Sequence, residues 1–170
     1  YGEAFLRPRH QGPIIGVAGG TGVAPLLSIV ATALAAGPGR DVALYVGARE
    51  EGDLYVAARL TRLAARHPGF RWIPVLSKPQ ASAARRTGLV TDALSADIAG
   101  GAALPLATAK AYIAGPPAMV TAAAALLQSA GIGVADIHAD GLRPPPPADE
   151  PVWCDGSGAP TANEPFNRAR

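Results

Sequence analysis

With 170 residues, 49% of them hydrophobic and 16% charged, the chain can bury one good core, so a single globular unit is expected. The net charge of +2 comes from arginines scattered without a run, which argues against nucleic acid as the main partner despite a pI near 9.0. A single cysteine, Cys154, excludes an intrachain disulfide framework and a multi-cysteine metal site within the chain and suits a reducing, cytoplasmic setting; no apolar run reaches the roughly 18 residues of a membrane span.

The chain opens on "YGEAFLRPRHQGP" without an initiator methionine, as expected of a piece of a longer polypeptide. Strand-like and helix-like segments then alternate. "PIIGVA" (13–18) is a short apolar run, and 23–36 is an alanine- and leucine-rich helix stopped by "GPG". "DVALYVGA" (41–48) reads as a strand, and 53–68 as an amphipathic helix with Leu54, Leu60 and Leu63 on one side and Arg59, Arg62 and Arg66 largely on the other. "FRWIPVLS" (70–77) is a third strand, followed by a helix over 88–99. "AYIAG" (111–115) is a fourth strand, 116–131 a helix opening on proline, and "VADIHAD" (134–140) the last strand. Strands separated by helices imply right-handed crossovers. The fold class is therefore α/β, a doubly wound, Rossmann-like, five-stranded parallel sheet in the order 3-2-1-4-5. After Leu142 the composition turns to "RPPPPADEPVWCDGSG", and residues 143–170 are expected to form a proline-rich, disordered tail from which Trp153 could dock elsewhere.

"GVAGGTGVAPLLS" (16–28) breaks a buried strand into glycines and resumes as a helix. Such a corner aims unpaired backbone N–H groups and the positive end of a helix dipole at one spot above the sheet edge. Gly19, Gly20 and Gly22 remove the Cβ atoms that would block a phosphate, Thr21 adds a hydroxyl, and Pro25 starts the helix where a missing N–H costs nothing. A tight turn of purely structural purpose would also explain the glycines. The second corner, "AGPPAM" (114–119), follows the fourth strand as the first corner follows the first. Strands one and four are neighbours at the point where the winding reverses, and ligands bind in the crevice above that point. Two corners over one crevice point to a dinucleotide or a similar phosphate ligand.

"GVAGGTGVAPLLS", "ALYVGAREEGDLY", "RRTGLVTDAL" and "AYIAGPPAMV", in that order, resemble the NAD(P)-binding domain of the ferredoxin–NADP reductase superfamily, with the FAD-dependent reductase components of bacterial ring-hydroxylating oxygenases as the closest branch. The resemblance runs from Tyr1 to about Leu142. It implies the ferredoxin reductase-like C-terminal domain over 13–142, preceded over 1–12 by the end of a truncated FAD-binding barrel and a linker. It implies a flavoprotein oxidoreductase in which NAD(P)H passes a hydride to FAD, held mainly by a domain absent from this chain, and electrons continue to an iron–sulfur protein or oxygenase component. By the same resemblance, Gly20, Thr21 and Gly22, with Gly19 beside them, contact the coenzyme's phosphates and ribose. Gly115, Pro116, Pro117 and Met119 form the wall beside the nicotinamide. Ser77, Lys78 and Arg86 hold the adenosine ribose or its 2′-phosphate, and Arg49 is a further candidate on the adenosine side. Met119 could equally be core, and Lys78 and Arg86 solvated loop charges.

The sequence departs from that family at three places. Ala114 stands where many relatives carry a cysteine, Leu142 where an aromatic residue often covers the flavin, and Gly88 where strict NADPH users stack an aromatic on adenine. Hydride transfer between two rings needs no protein base or nucleophile, which agrees with the lack of a catalytic triad, an HExxH motif or a Walker lysine. No catalytic residue and no metal ligand is therefore expected, and His138 reads as a structural residue. Lys78 and Arg86 favour NADPH, whereas Glu50 and Glu51 favour a free 2′-hydroxyl, and the balance falls slightly to NADH. A non-catalytic nucleotide-binding regulatory module is the alternative reading.

Overall fold

The run Ile14–Gly19 contains no polar side chain and forms a strand, β1, buried along its whole length. Helices cover both faces at the centre of a parallel sheet, so every position of such a strand meets apolar neighbours. The computed structural model describes residues 4–78, 85–101 and 104–141. After β1 come α1 (Val23–Ala36), β2 (Val42–Ala48), α2 (Ala57–Arg66), β3 (Phe70–Leu76), β4 (Arg86–Thr87), α3 (Val90–Ala99), β5 (Lys110–Gly115), α4 (Pro117–Ser129) and β6 (Ile137–Gly141). Short 3-10 turns lie at Gly20–Gly22, Glu51–Asp53, Leu106–Thr108 and Val134–Asp136.

The strands pair in parallel in the order β4-β3-β2-β1-β5-β6. The expected order 3-2-1-4-5 is the run β3-β2-β1-β5-β6 of this sheet, and the strand count is corrected from five to six by the added edge strand β4. The additional strand β4 places Arg86 and Thr87 beside Val75 and Leu76. Two residues carry no readable periodicity, so only tertiary pairing defines this edge. Two expected boundaries also move. The helix expected from residue 53 is preceded by the Glu51–Asp53 turn, in which the Asp53 carboxylate accepts a hydrogen bond from the Glu50 N–H (3.2 Å). The last strand starts at Ile137, after a turn closed by the Asp136 N–H donating to the Gly133 carbonyl (2.8 Å).

Alternation along the strands divides the apolar residues between two layers. Ile14 and Ala18 join Leu44, Val46 and the buried faces of α1 and α2, while Ile15 and Val17 join Tyr45, Val75 and those of α3 and α4. Helix α1 has no charged residue and buries seven side chains, as a helix laid over the sheet centre must. Helix α2 covers the margin, buries Leu60 fully and turns Arg59, Arg62 and Arg66 to solvent. Burying a side chain such as Leu44, Leu60 or Leu94 completely stabilises the fold by about 1.5–3 kcal/mol each.

The buried Arg40 ties the approach to β1, its Nε donating to the Gly12 carbonyl at 2.8 Å and its other arm to the His10 carbonyl. The chain ahead of β1 lies over β5 and β6. The Arg7 N–H donates to the Tyr112 hydroxyl (3.0 Å), and the Ala4 N–H donates to the Asp140 carboxylate (3.2 Å). Residues from Ala4 to Leu6 carry no strand, and residues 1–3 of the barrel end expected over 1–12 lie outside the described residues. His138 packs its ring 5.2 Å from that of Tyr112, and its Nδ1 is 3.3 Å from the Arg7 guanidinium. Leu142, the tail over 143–170, Trp153 and Cys154 lie outside the described residues. Among the described residues no helix is long and apolar enough to cross a membrane.

Candidate functional site

The chain leaves β1 toward β2 on one side and returns as β5 on the other, so the carboxyl ends of β1 and β5 open together. The two small-residue corners meet there at backbone contact. A Cβ on Gly22 would lie 2.1 Å from the Ala114 carbonyl oxygen, and one on Gly115 would lie 3.0 Å from both the amide nitrogen and the carbonyl oxygen of Gly19. A Cβ on Gly19 would press on Met119 Sδ at 2.7 Å. Gly20 differs. It has a φ of +55° and no atom within 4 Å of a would-be Cβ, so its bare backbone faces open space. Neither α1 nor α4 is capped by a side-chain hydrogen bond at its N-terminus, and Pro117 occupies the first turn of α4. Both helices therefore present their positive ends toward one crevice with no side-chain oxygen in the way.

That crevice is a cleft of about 870 Å³ running from Gly19, Gly20 and Thr21 past Gly47, Ala48 and Arg49 to Ser77 and Gly88. Pocket volumes of small-molecule and cofactor sites are about 300–1,000 Å³, so a dinucleotide fits its size. Of the residues anticipated from sequence, Gly19, Gly20, Thr21, Arg49, Ser77, Pro116 and Met119 line it. Gly22 and Gly115 lie beneath it, buried where the two corners touch, and Pro117, Lys78 and Arg86 are not in its wall. Lys78 stays close by, its N–H donating to the Arg49 carbonyl at 2.8 Å.

Arg86 is already engaged. Its guanidinium lies 2.7 Å from Asp97 on α3, and the other Asp97 oxygen accepts from the Tyr45 hydroxyl at 2.9 Å. Burial, and then the hydrogen bond to Asp97, push the Tyr45 phenol well above its ordinary range. The neighbouring Arg85 is engaged as well. Its Nε lies 2.8 and 2.7 Å from the two oxygens of Glu51, and a terminal nitrogen lies 2.7 Å from one of them. This pair, half-buried at Arg85 and exposed at Glu51, holds the Glu51 carboxyl below the usual carboxylate range.

Sequence reasoning missed the far wall. Tyr55, Leu89, Val90 and Asp53 line the cleft, and Tyr55 and Leu89 are 63% and 59% exposed. Two large apolar side chains left open on the rim of one cleft were the available signal, but their exposure is not visible in a periodicity that also suits a helix start.

The Oxidoreductase NAD-binding domain family model matches residues 17–125, more than half of the chain. The chain belongs to this family. Its NAD-binding domain is of the ferredoxin–NADP reductase superfamily, as the four sequence motifs implied. It is 43% identical over 143 residues to the ferredoxin–NAD(P)(+) reductase component of the naphthalene 1,2-dioxygenase system of Pseudomonas putida, a match covering 84% of this chain and 42% of that protein. It is 40% identical over 146 residues to the reductase subunit of an aromatic O-demethylase of an Amycolatopsis species, again over 84% and 42%. The crystal structure of the Amycolatopsis cytochrome P450 reductase GcoB superposes with a TM-score of 0.71 at 38% identity, over 81% of this chain and 40% of that one. The NAD-binding domain thus spans about 42% of the length of the curated relatives it matches. The regulatory-module alternative finds no support among these relatives.

Proposed function

We propose that this domain is the nicotinamide-binding part of a flavoprotein reductase, taking NADH or NADPH as reductant, reducing an FAD held mainly by another domain of the same polypeptide, and serving an iron–sulfur or oxygenase partner. The observation that carries this reading is the contact of the two glycine corners beneath an open, dinucleotide-sized cleft.

In this reading the Gly20–Thr21 backbone and the N-termini of α1 and α4 hold the coenzyme's pyrophosphate, because bare N–H groups and helix dipoles favour negative charge there. Pro116 and Met119 form the apolar wall against the nicotinamide. Arg49 and Ser77 serve the adenosine end, and Tyr55 and Leu89 offer it flat apolar surface. Bound nicotinamide supplies a hydride, which needs no protein acid or base. The chain's task is to fix the ring in one orientation and exclude water from its face. Gly22 and Gly115 act from below, by setting the two corners at the distance that lets the backbone line the cleft, and Pro117 starts α4. Partial coverage of the relatives agrees with a flavin site elsewhere in the polypeptide, and the setting is cytoplasmic.

Anaerobic stopped-flow mixing of the full-length protein with NADH and then NADPH is the test. Bleaching of a flavin absorbance band within the mixing series is expected, and a protein that holds flavin but is reduced by neither coenzyme would overturn the reading.

A further inference from the structure

Asp97 is the one carboxylate buried among the described residues, and hydride chemistry has no use for it. It sits two turns along α3, where one of its oxygens accepts from the Tyr45 hydroxyl of β2 at 2.9 Å and the other lies 2.7 Å from the Arg86 guanidinium of β4. A charge placed in an apolar layer is a poor source of stability, since a well-packed apolar residue of its size often does as well. What it adds is a fixed geometry between the groups it joins. We propose that Asp97 is a positioning residue for the cleft, a clip that holds the segment from Arg86 to Thr91, and with it one wall of the cleft, against the sheet. This rests on the reading of the cleft as a nicotinamide dinucleotide site.

Gly88, Leu89, Val90 and Thr91 all line the cleft, and the chain reaches them straight from β4. The ladder that holds this approach is short. Strand β4 is two residues long and lies at the edge of the sheet, paired with Val75 and Leu76 of β3, and just beyond it the Gly88 N–H donates to the Leu76 carbonyl at 3.0 Å. Gly88 then turns the chain with a φ of +110°, and the Leu89 N–H donates to Asp92 of its own helix turn at 3.2 Å. The Arg86–Asp97 pair ties this edge to the body of α3. Tyr45, buried in β2, fixes the other oxygen, so one carboxylate refers the edge strand to the interior of the sheet. The Glu51–Arg85 pair nearby is open to water and can part at small cost. Asp97 differs, because a buried carboxylate left without its cation is strongly unfavourable, and the clip stays closed.

The test is equilibrium titration of the full-length protein with NAD⁺ and NADP⁺, corrected for the folded fraction by circular dichroism, for Asp97→Asn, Arg86→Ala and the double variant. Asn keeps an acceptor for Tyr45 and removes the charge that holds Arg86. Each single variant should weaken both nucleotides about fivefold, and the double variant should bind no more weakly than either one, because both changes open the same clip. Arg86→Lys, which keeps the cation, should recover most of the affinity, and it carries the comparison with Arg86→Ala if Asp97→Asn does not fold. An Arg86 that contacts the coenzyme directly gives another pattern: Asp97→Asn would free it and tighten NADP⁺, whereas Arg86→Ala would weaken NADP⁺ alone. That pattern, or a lowered thermal midpoint with both affinities unchanged, would overturn the clip and leave the dinucleotide reading intact. Failure of the unaltered protein to bind either nucleotide would overturn both.

Discussion

The two ends of the cleft are built by different physics. At the β1–α1 corner no side chain carries charge, and the geometry is set by backbone pressed on backbone, with Gly22 under Ala114 and Gly115 against Gly19. Outside the wall of the cleft's other end, by the edge strand β4, side chains are held by charge, Arg85 with Glu51 and Arg86 with Asp97. Close packing does not bend to a methyl group, because the interior has crystal-like density. Charged rims do bend, since exposed ion pairs form and break at small cost. Under the proposed function, the first region governs whether a dinucleotide fits, and the second the charge beside the cleft.

The sharpest way to break this contrast is to add a single methyl group at the corner. Gly22→Ala would place a Cβ 2.1 Å from a carbonyl oxygen that cannot move without shifting β5. A loss of about 3 kcal/mol is expected in urea unfolding, with coenzyme affinity falling as a consequence. Gly20→Ala, two positions away, is expected to behave differently. Its Cβ meets nothing, so stability should fall only by the left-handed backbone cost of about 1–2 kcal/mol. The same Cβ enters the cleft, so coenzyme binding should weaken by more than the fold does, which paired urea and nucleotide titrations would separate. Equal effects of the two substitutions on both measurements would erase the distinction drawn between the buried contact and the cleft floor.

On the charged side the effects are smaller. Tyr45→Phe removes the hydroxyl that helps hold Asp97 and, through it, Arg86 on the edge strand. A cost of about 1 kcal/mol is expected. It also carries a pH signature. The folded state raises the phenol's pKa above its unfolded value of about 10, so the neutral form is the one the fold favours. That stabilisation is complete below about pH 10 and is lost as the pH rises beyond it. The thermal midpoint of the parent should fall steeply in that alkaline window, and that of Tyr45→Phe less so. Lys78→Ala, on an exposed residue outside the cleft wall, is the mildest change; it should lower NADPH affinity about two- to threefold more than NADH affinity.

Much of this molecule was determined locally. An unbroken apolar run such as Ile14–Ala18 has no stable place except between two layers, and the alanine- and leucine-rich stretch beyond Gly22 has none except against the sheet centre. Together with the alternation of elements, this made the five strands β3-β2-β1-β5-β6 and their order legible, and the crevice with them. The glycine and proline corners were legible because their chemistry is that of the backbone itself, at sequence-adjacent positions. What tertiary structure alone decided concerns pairs distant in sequence. The edge strand Arg86–Thr87 exists only because Val75 and Leu76 offer it a ladder. The partner of each arginine, Glu51 across 34 residues and Asp97 on the next helix, was beyond the reach of any local pattern. Arg86, which the motif places on the coenzyme, thus pairs with Asp97, a partner no local pattern names. Tyr55 and Leu89 were missed for the same reason, since exposure at a cleft rim is a property of what packs nearby. Local sequence dictates backbone shape, where neighbours along the chain exclude one another, whereas charge partners and open surface depend on which distant segments the fold brings together.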